Sequence, residues 1–498
     1  MTKYKSTIGM EIHVELKTAS KMFCGCKNGL GLEKKPNVHI CPVCTAQPGT
    51  LPVPNQKAIE FVQLAGLALN CKLREQSKFD RKNYFYPDIP KGYQISQYDQ
   101  PLCENGKLEI EGTEDKGKGM KKVIGITRIH IEEDTGKLTH PKGADYTLVD
   151  FNRAGVPLME LVTEPDFDGG DEARIFCQKL QQVCRYLNIS DADMEKGNMR
   201  CEANISLYKD GEDKLSGTKV EVKNINSFKF VEKAINFEIK RQTEELEAGK
   251  KIVQETRGWD ANRNATISQR KKESAHDYRY FPEPDIPPME FTEQNFSELK
   301  LRLPEMPAEK SKRFSEQYNL ASDAVELLTG DRNLADYFEK TASELEEKVC
   351  AKEISCENKK AVKLAANYIN TELRKHLTEG GHSIRDIQIT PENYAEFIGI
   401  VAEGKINSSA AQTVLKEMYR TGGDPSQIIE EKNLMQMEDD TELETVIQDI
   451  LAKNQQSVDD FKAGKDRALQ FLVGQVMSET KGKANPKTAI ELIKKIIS

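Results

Sequence analysis

The sequence predicts an α+β protein, with an antiparallel sheet covered by helices first and helices alone after it. Three observations predict this. Period-two alternation recurs through the first part of the chain, at 8–16, 124–134, 199–207 and 219–223, and 146–152 reads as a further strand. Helical periodicities at 55–70, 171–188 and 227–249 are interspersed with these strands. Beyond about residue 295 the pattern is helical throughout. Strands with one polar face, followed by a run of helices, point to this architecture.

The first strand sets the design. Ile8, Met10, Ile12, Val14 and Leu16 alternate with Gly9, Glu11, His13 and Glu15. Period two places Glu11, His13 and Glu15 on one face and the apolar set in the core. Two carboxylates flanking an imidazole suit a divalent cation or general acid–base chemistry. A solvated sheet face with one histidine gives the same pattern.

A chain of 498 residues is too long for one core, so about two to four domains are expected. Apolar residues at 38%, charged residues at 31% and no long apolar run indicate a soluble protein without a membrane partner. Residues 1–7 hold no apolar stretch of the secretory kind. The net charge of −8 excludes a global attraction to nucleic acid, so any such binding needs local basic patches. Eleven cysteines, an odd number, fit reduced thiols and a cytoplasmic location. No internal repeat is present.

Cys24-Gly25-Cys26 and Cys41-Pro42-Val43-Cys44 follow the first strand. Two close pairs can give four thiolates to tetrahedral zinc, although the first pair is one residue tighter than usual. Four protein ligands leave no open position, so such a site is structural. Four free thiols are the other reading. Asn55 is placed to cap the helix that runs to about residue 70. Then comes FDRKNYFYPD, in which Arg81, Lys82 and Asn83 are suitable donors to phosphate or carboxylate oxygens. The stretch GTEDKGKG at 112–119 approaches a phosphate-binding loop, but Gly119 stands where Ser or Thr would hold magnesium. A charged hairpin turn is expected there instead.

Ile124 and Ile126 are out of phase with Ile129 and Ile131, which predicts a bulge near Thr127. Arg128, His130 and Glu132 then share a face. Glu160 is a lone acid in the run PLMEL and needs a positive partner or a cation. Residues 199–207 alternate cleanly, with Arg200, Glu202 and Asn204 on the polar side, and Glu221 follows between Val220 and Val222. Ser227 caps a helix ending near Gly249. The Pro-rich stretch FPEPDIPP at 281–288 reads as a rigid boundary. Helices are expected at 322–328, 333–340 and 359–377, and in a last segment from about residue 406 with ends at Gly422 and near Ser478. Lys481, Lys483, Lys487, Lys494 and Lys495 form a phosphate-contacting patch or a solvated helix face.

The segments IGMEIHVELKTASKMF, FDRKNYFYPDIPKGYQISQYDQPL, GITRIHIEEDTGKLTH, DFNRAGVPLMELVTEPD, MRCEANISL, VEVKNINSF and DYRYFPEPDIPP closely resemble the B subunit of tRNA-dependent aspartyl/glutamyl amidotransferases. The tail FLVGQVMSETKGKANP is similar to that family's C-terminal region. The resemblance covers essentially the whole chain in order. It implies a cradle domain over 1–294, with a core similar to the catalytic sheet of glutamine synthetase and a zinc knuckle at 24–44. An all-α helical domain over 295–405 and a small all-α YqeY-like tail over 406–498, which bind tRNA, would follow.

The resemblance also implies an activity. The family uses ATP to phosphorylate the side-chain carboxylate of Glu or Asp misacylated onto tRNA(Gln) or tRNA(Asn). Ammonia from a partner glutaminase then displaces the phosphate. That partner is the amidase, or A, subunit, which assembles with a small C subunit into a heterotrimer; no amidase Ser-Ser-Lys signature is found in this chain. By motif position, Glu11, His13, Glu133 and Glu160 would hold Mg2+, and Lys82 would contact nucleotide phosphate or substrate. Arg81, Asn83, Arg153, Glu202, Asn204 and Glu221 would line the nucleotide or substrate. Alternation alone points to Glu132, whereas the resemblance implies Glu133. Cys24, Cys26, Cys41 and Cys44 resemble a zinc knuckle that some members lack. Two other readings are a non-catalytic zinc-containing tRNA-binding protein and a stand-alone carboxylate–amine ligase. The acid constellation argues against the first, and the long helical half against the second.

Overall fold

The computed structural model describes residues 4–29, 33, 35–112, 121–271, 278–436, 440–462, 464–480 and 483–497. The expected turn at 113–119 lies outside the described residues. The chain divides into two compact units, residues 1–306 and 307–498.

In chain order, the main strands of the first unit are β1 (Tyr4–Glu15), β2 (Lys72–Leu73), β3 (Asp80–Asn83), β4 (Tyr93–Ser96), β5 (Cys103–Glu111), β6 (Lys121–Glu133), β7 (Pro157–Thr163), β8 (Met199–Lys209), β9 (Val220–Ile225), β10 (Glu255–Asp260), β11 (Ala265–Lys271) and β12 (Phe281–Pro282). Nine of them form one sheet in the order β11-β10-β9-β8-β1-β7-β6-β5-β2. Every described pairing in it is antiparallel except β9 with β10. β12, β3 and β4 make a separate three-stranded sheet.

β1 is central because both its faces and both its edges are used. Ile8, Met10, Ile12 and Val14 are buried in the core with Phe176, Leu180, Val231 and Ile235 from two covering helices. Those helices are α2 (Gly170–Tyr186) and α3 (Phe228–Glu247), which follow α1 (Gln56–Ala68). The caps fall where the residues suggest. Asn55 accepts from the Lys57 and Ala58 amides, and Ser227 accepts from the Phe230 amide. The bulge is present too: Val162 pairs with Arg128 and Thr163 with Ile126, so Thr127 is the extra residue.

Elsewhere the structure differs from the pattern. Of 146–152 only Leu148–Asp150 is strand, in a short hairpin with Lys137–Thr139. The Pro-rich stretch is packed into the first unit. Phe281 and Pro282 pair with Arg81 and Asp80, and Glu283 is buried against the Arg81 guanidinium.

In the second unit, helices from Pro307–Tyr318 to Pro425–Glu431 enclose one core that includes Phe338, Ala365, Phe397 and Val414. Helices from Asp440–Lys453 to Pro486–Ile497 enclose another, with Ile447, Leu472, Val476 and Ile493. The helix read at 333–340 runs over Arg332–Cys350, because Thr341, Ala342 and Leu345 continue its buried stripe. The one read at 359–377 is Asn358–Tyr368, a π turn at Ile369–Leu373, and Arg374–Gly380. Lys481 and the side chain of Lys487 lie outside the described residues; Lys495 pairs with Glu444 at 3.5 Å.

Candidate functional site

Strand register assembles the site. Directly opposed residues on adjacent strands carry side chains on the same face. His13 on β1 opposes Arg200 on β8 and Glu160 on β7, and Glu160 opposes His130 on β6. Arg200, His13, Glu160 and His130 therefore form one row across four neighbouring strands. Glu11 opposes Glu202, and at the next position along the same face Asn204 opposes Glu221, so further polar pairs lie beside the first row.

Two clusters of candidate metal ligands result: His13 with Glu132 and Glu160, and Glu11 with Glu202 and Glu221. Within each, the ligand atoms lie within 4.8 Å of one another. In the first, His13 Nε2 is 3.3 Å from Glu160 Oε2 and 3.8 Å from Glu132 Oε1. His130 Nε2 reaches Glu160 Oε2 at 3.2 Å. Ser96 Oγ donates to Glu132 at 3.0 Å, and Lys82 Nζ stands 3.9 Å from the same carboxylate. Burial alone would raise the Glu160 carboxyl, but His130 and His13 hold it well below the usual range. Burial works against the His13 imidazolium, yet the Glu160 and Glu132 carboxylates push the group up to about 9. Lys82 is likewise kept charged against its burial by Glu132 and Glu160.

In the second cluster, Lys223 Nζ bridges Glu202 at 2.7 Å and Glu221 at 3.5 Å. Asn204 Nδ2 donates to Glu11 at 2.8 Å, and Thr256 Oγ1 donates to Glu221 at 2.7 Å. Hard oxygen donors with one imidazole suit Mg2+, so the donor sets fit such an ion.

The four residues that the resemblance implies for Mg2+ are therefore not one group in this structure. His13 and Glu160 stand with Glu132, Glu11 belongs to the other cluster, and Glu133 belongs to neither. The reason is strand phase. β6 continues regularly through Glu133, which pairs with Pro157, so His130 and Glu132 share the polar face and Glu133 points the other way. There Glu133 pairs with Lys91 at 2.6 Å and accepts from the Ile95 amide at 2.9 Å.

Other expected residues have structural partners. Arg81 makes a two-pronged contact to Glu283 at 2.7 and 2.8 Å. Asn83 donates to the Arg279 carbonyl at 2.8 Å. Arg153 donates to the carbonyls of Thr135 at 3.0 Å and Gly136 at 2.8 Å. His130, Arg200, which binds Asp134 at 2.7 Å, and Lys223 contribute without having been expected as site residues; alternation had placed His130 and Arg200 on the polar faces of their strands but gave neither a role.

Cys24, Cys26, Cys41 and Cys44 also converge, with sulfurs within 4.8 Å of one another, as a candidate metal-binding cluster. A hydrogen bond from Cys24, the Cys41 amide and the nearby Lys21 ammonium hold the Cys44 thiol down at about 4; the same sulfur contact and burial push Cys24 up. A cavity of about 260 Å³ is lined by Cys24, Cys44, Lys91, Glu133 and Gly155.

Residues 6–297 match the family described as the GatB/GatE catalytic domain, and 336–497 match the one described as the GatB domain. The chain belongs to the GatB family. A relative from Carboxydothermus hydrogenoformans is 48% identical over 497 residues, covering 99% of each chain. One from Thermotoga petrophila is 46% identical over 499 residues, covering 99% of each, and one from Brevibacillus brevis is 44% identical over 498 residues, covering 100% of each. All three are named as the B subunit of aspartyl/glutamyl-tRNA(Asn/Gln) amidotransferase. The GatB catalytic-domain match spans both carboxylate clusters and the cysteine quartet. Among the described residues, no helix is long and apolar enough to cross a membrane.

Proposed function

We propose that this chain is the B subunit of a cytoplasmic tRNA-dependent amidotransferase. It phosphorylates the side-chain carboxylate of Glu or Asp carried by tRNA(Gln) or tRNA(Asn), with ATP as phosphoryl donor. Ammonia then displaces the phosphate. Carrying this reading is the pair of carboxylate clusters, each with a lysine, on one face of a sheet within the catalytic-domain match. A carboxylate is a poor electrophile, and phosphorylation turns its oxygen into a leaving group. The triphosphate and the attacking carboxylate repel each other, so cations must neutralise them.

His13, Glu132 and Glu160 form the set that geometry favours for one Mg2+; Glu11, Glu202 and Glu221 are suited to another or to the substrate. Bound there, Mg2+ would neutralise phosphate charge. Lys82 and Lys223 supply fixed positive charge beside the two clusters. Lys82 is oriented by Glu132 and by the Tyr278 ring, whose centre is 5.3 Å from Nζ. The cradle at 1–294, with a core like that of glutamine synthetase, carries this chemistry, while the helical domain at 295–405 and the YqeY-like tail at 406–498 hold tRNA. Ammonia comes from the amidase, or A, subunit of a heterotrimer completed by a small C subunit. Zn2+ in the cysteine quartet is structural.

The test is ATP cleavage by the complex purified from its source. ADP should form when misacylated tRNA is added and not with correctly acylated tRNA. Binding of misacylated tRNA with no ATP cleavage would instead establish the non-catalytic tRNA-binding reading.

A further inference from the structure

Lys21 is 0% exposed, which is exceptional for a lysine. An ammonium has three N–H donors, and each has an acceptor here. The His39 carbonyl lies at 2.7 Å, the Phe151 carbonyl at 3.1 Å and Cys44 Sγ at 3.8 Å. No carboxylate is paired with it among the described residues. A buried charge without a counter-charge is expensive, so its anion must come from sulfur. Four neutral thiols would give none. Four thiolates around a divalent ion carry a net charge of −2 by simple count, and a lysine against one sulfur halves it.

The same side chain joins three parts of the chain. His39 and Cys44 belong to the cysteine loop, and Phe151 opens the turn that leads to Gly155. Gly155 has φ +84°, and a Cβ there would lie 3.6 Å from Cys44 Cβ, 3.7 Å from Lys21 Cδ and 4.0 Å from Glu133 Oε2. Its carbonyl accepts from the Met22 amide at 2.7 Å. Arg153, in the middle of this turn, donates to the carbonyls of Thr135 and Gly136, just beyond the end of β6. The turn thus packs against the cysteine cluster on one side and the segment that follows β6 on the other.

We propose that Lys21 is the built-in counter-ion of a zinc–tetrathiolate centre and fastens that centre to the 151–155 turn. Lys21 is a positioning residue, since it acts through Cys44 and the two carbonyls. This goes beyond the amidation reading and does not rest on it.

The experiment uses the full chain, zinc-loaded, and follows zinc release to a chromogenic chelator. Lys21→Gln keeps N–H donors for the carbonyls and removes the charge; it should release zinc at least about tenfold faster, the scale of losing a partner of a metal ligand. Lys21→Arg keeps the charge and should stay within about threefold of the parent on the same scale. Cobalt(II) substitution gives a second readout. Loss of the N–H···S contact should move the sulfur-to-cobalt charge-transfer band to lower energy in Lys21→Gln and leave it in place in Lys21→Arg. A merely structural role would not move the band. Parental release and an unshifted band in Lys21→Gln overturn the proposal. Should Lys21→Gln not fold even with zinc present, Lys21→Arg decides: parental release supports the assignment, and release about tenfold faster overturns it. A chain that takes up neither Zn2+ nor Co2+ overturns it together with the zinc reading.

Discussion

Glu132→Gln and Glu133→Gln, compared side by side, test the site most sharply. The two acids are neighbours in sequence and face opposite sides of β6. Glu132 is 2% exposed and lies with His13 and Glu160 in one cluster. Its carboxylate is also the acid 3.9 Å from the Lys82 ammonium. At that separation and an effective dielectric of about 20, the pair attracts by about 4 kcal/mol before desolvation is subtracted. Glutamine keeps an acceptor for Ser96 but leaves Lys82 without this anion, so Glu132→Gln should cost roughly 1–3 kcal/mol of stability. The loss in function should be larger. A charge-stabilising group aimed at the reacting phosphates is worth about a hundredfold to a thousandfold in rate, or about 3–4 kcal/mol. Glu133→Gln breaks the ion pair with Lys91 at 2.6 Å but keeps an acceptor for the Ile95 amide, and it leaves the polar cluster untouched. It should stay within about tenfold of the parent, the effect of a partner outside the ligand set. The assay is ADP formation dependent on misacylated tRNA, titrated with Mg2+, alongside urea denaturation. Glu132→Gln active within threefold while Glu133→Gln is inactive would refute the argument from strand phase.

Four further outcomes follow from the same structure. Metal analysis of the purified chain should find zinc, with the sulfurs of Cys24, Cys26, Cys41 and Cys44 at about 2.3 Å from it by X-ray absorption; four freely titratable thiols and no zinc contradict this. Glu15 is pushed up to about 7 by burial and by Asp134, so the folded state binds its proton more tightly than the unfolded chain does. Its stabilising contribution is complete below the unfolded value, near 4.5, and is lost as pH rises through about 7; parent stability should fall by roughly 1–3 kcal/mol over that window, and Glu15→Gln should flatten the profile. Asn55→Ala removes the cap of α1 and donations to the Ser20 and Lys21 carbonyls at 3.1 and 3.2 Å, and urea denaturation should register a loss of about 1–2 kcal/mol. A chain ending at Gln436 lacks the last helical core but keeps the rest of both units; it should bind tRNA more weakly, with the deficit shrinking as salt rises, and equal affinities at two salt concentrations would assign the tail another role.

Much of this protein is determined by its sequence alone. Period-two alternation at 8–16 and 199–207 names the polar face before any strand is placed, because side chains alternate between the two faces of a regular strand. Asn55 and Ser227 mark helix starts because their short polar side chains reach the free amides of the next turn. The phase change between Ile126 and Ile129 betrays the bulge at Thr127 for the same geometric reason. Family membership was also legible, since its motifs run the length of the chain. What tertiary structure decided is which strands are neighbours and in what register. No periodicity within β1, β6, β7 or β8 says that His13 will stand between Arg200 and Glu160, or that Glu160 will lie between two imidazoles. Nor does local pattern say how far β6 stays regular, which is what separates Glu132 from Glu133. Lys21 was invisible for a related reason: its role comes from a carbonyl 130 residues away and a sulfur 23 residues away, and a lone lysine in sequence carries no sign of burial. Local order follows from short-range sterics and hydrogen bonding, whereas a site built across strands depends on long-range pairing that no single segment encodes.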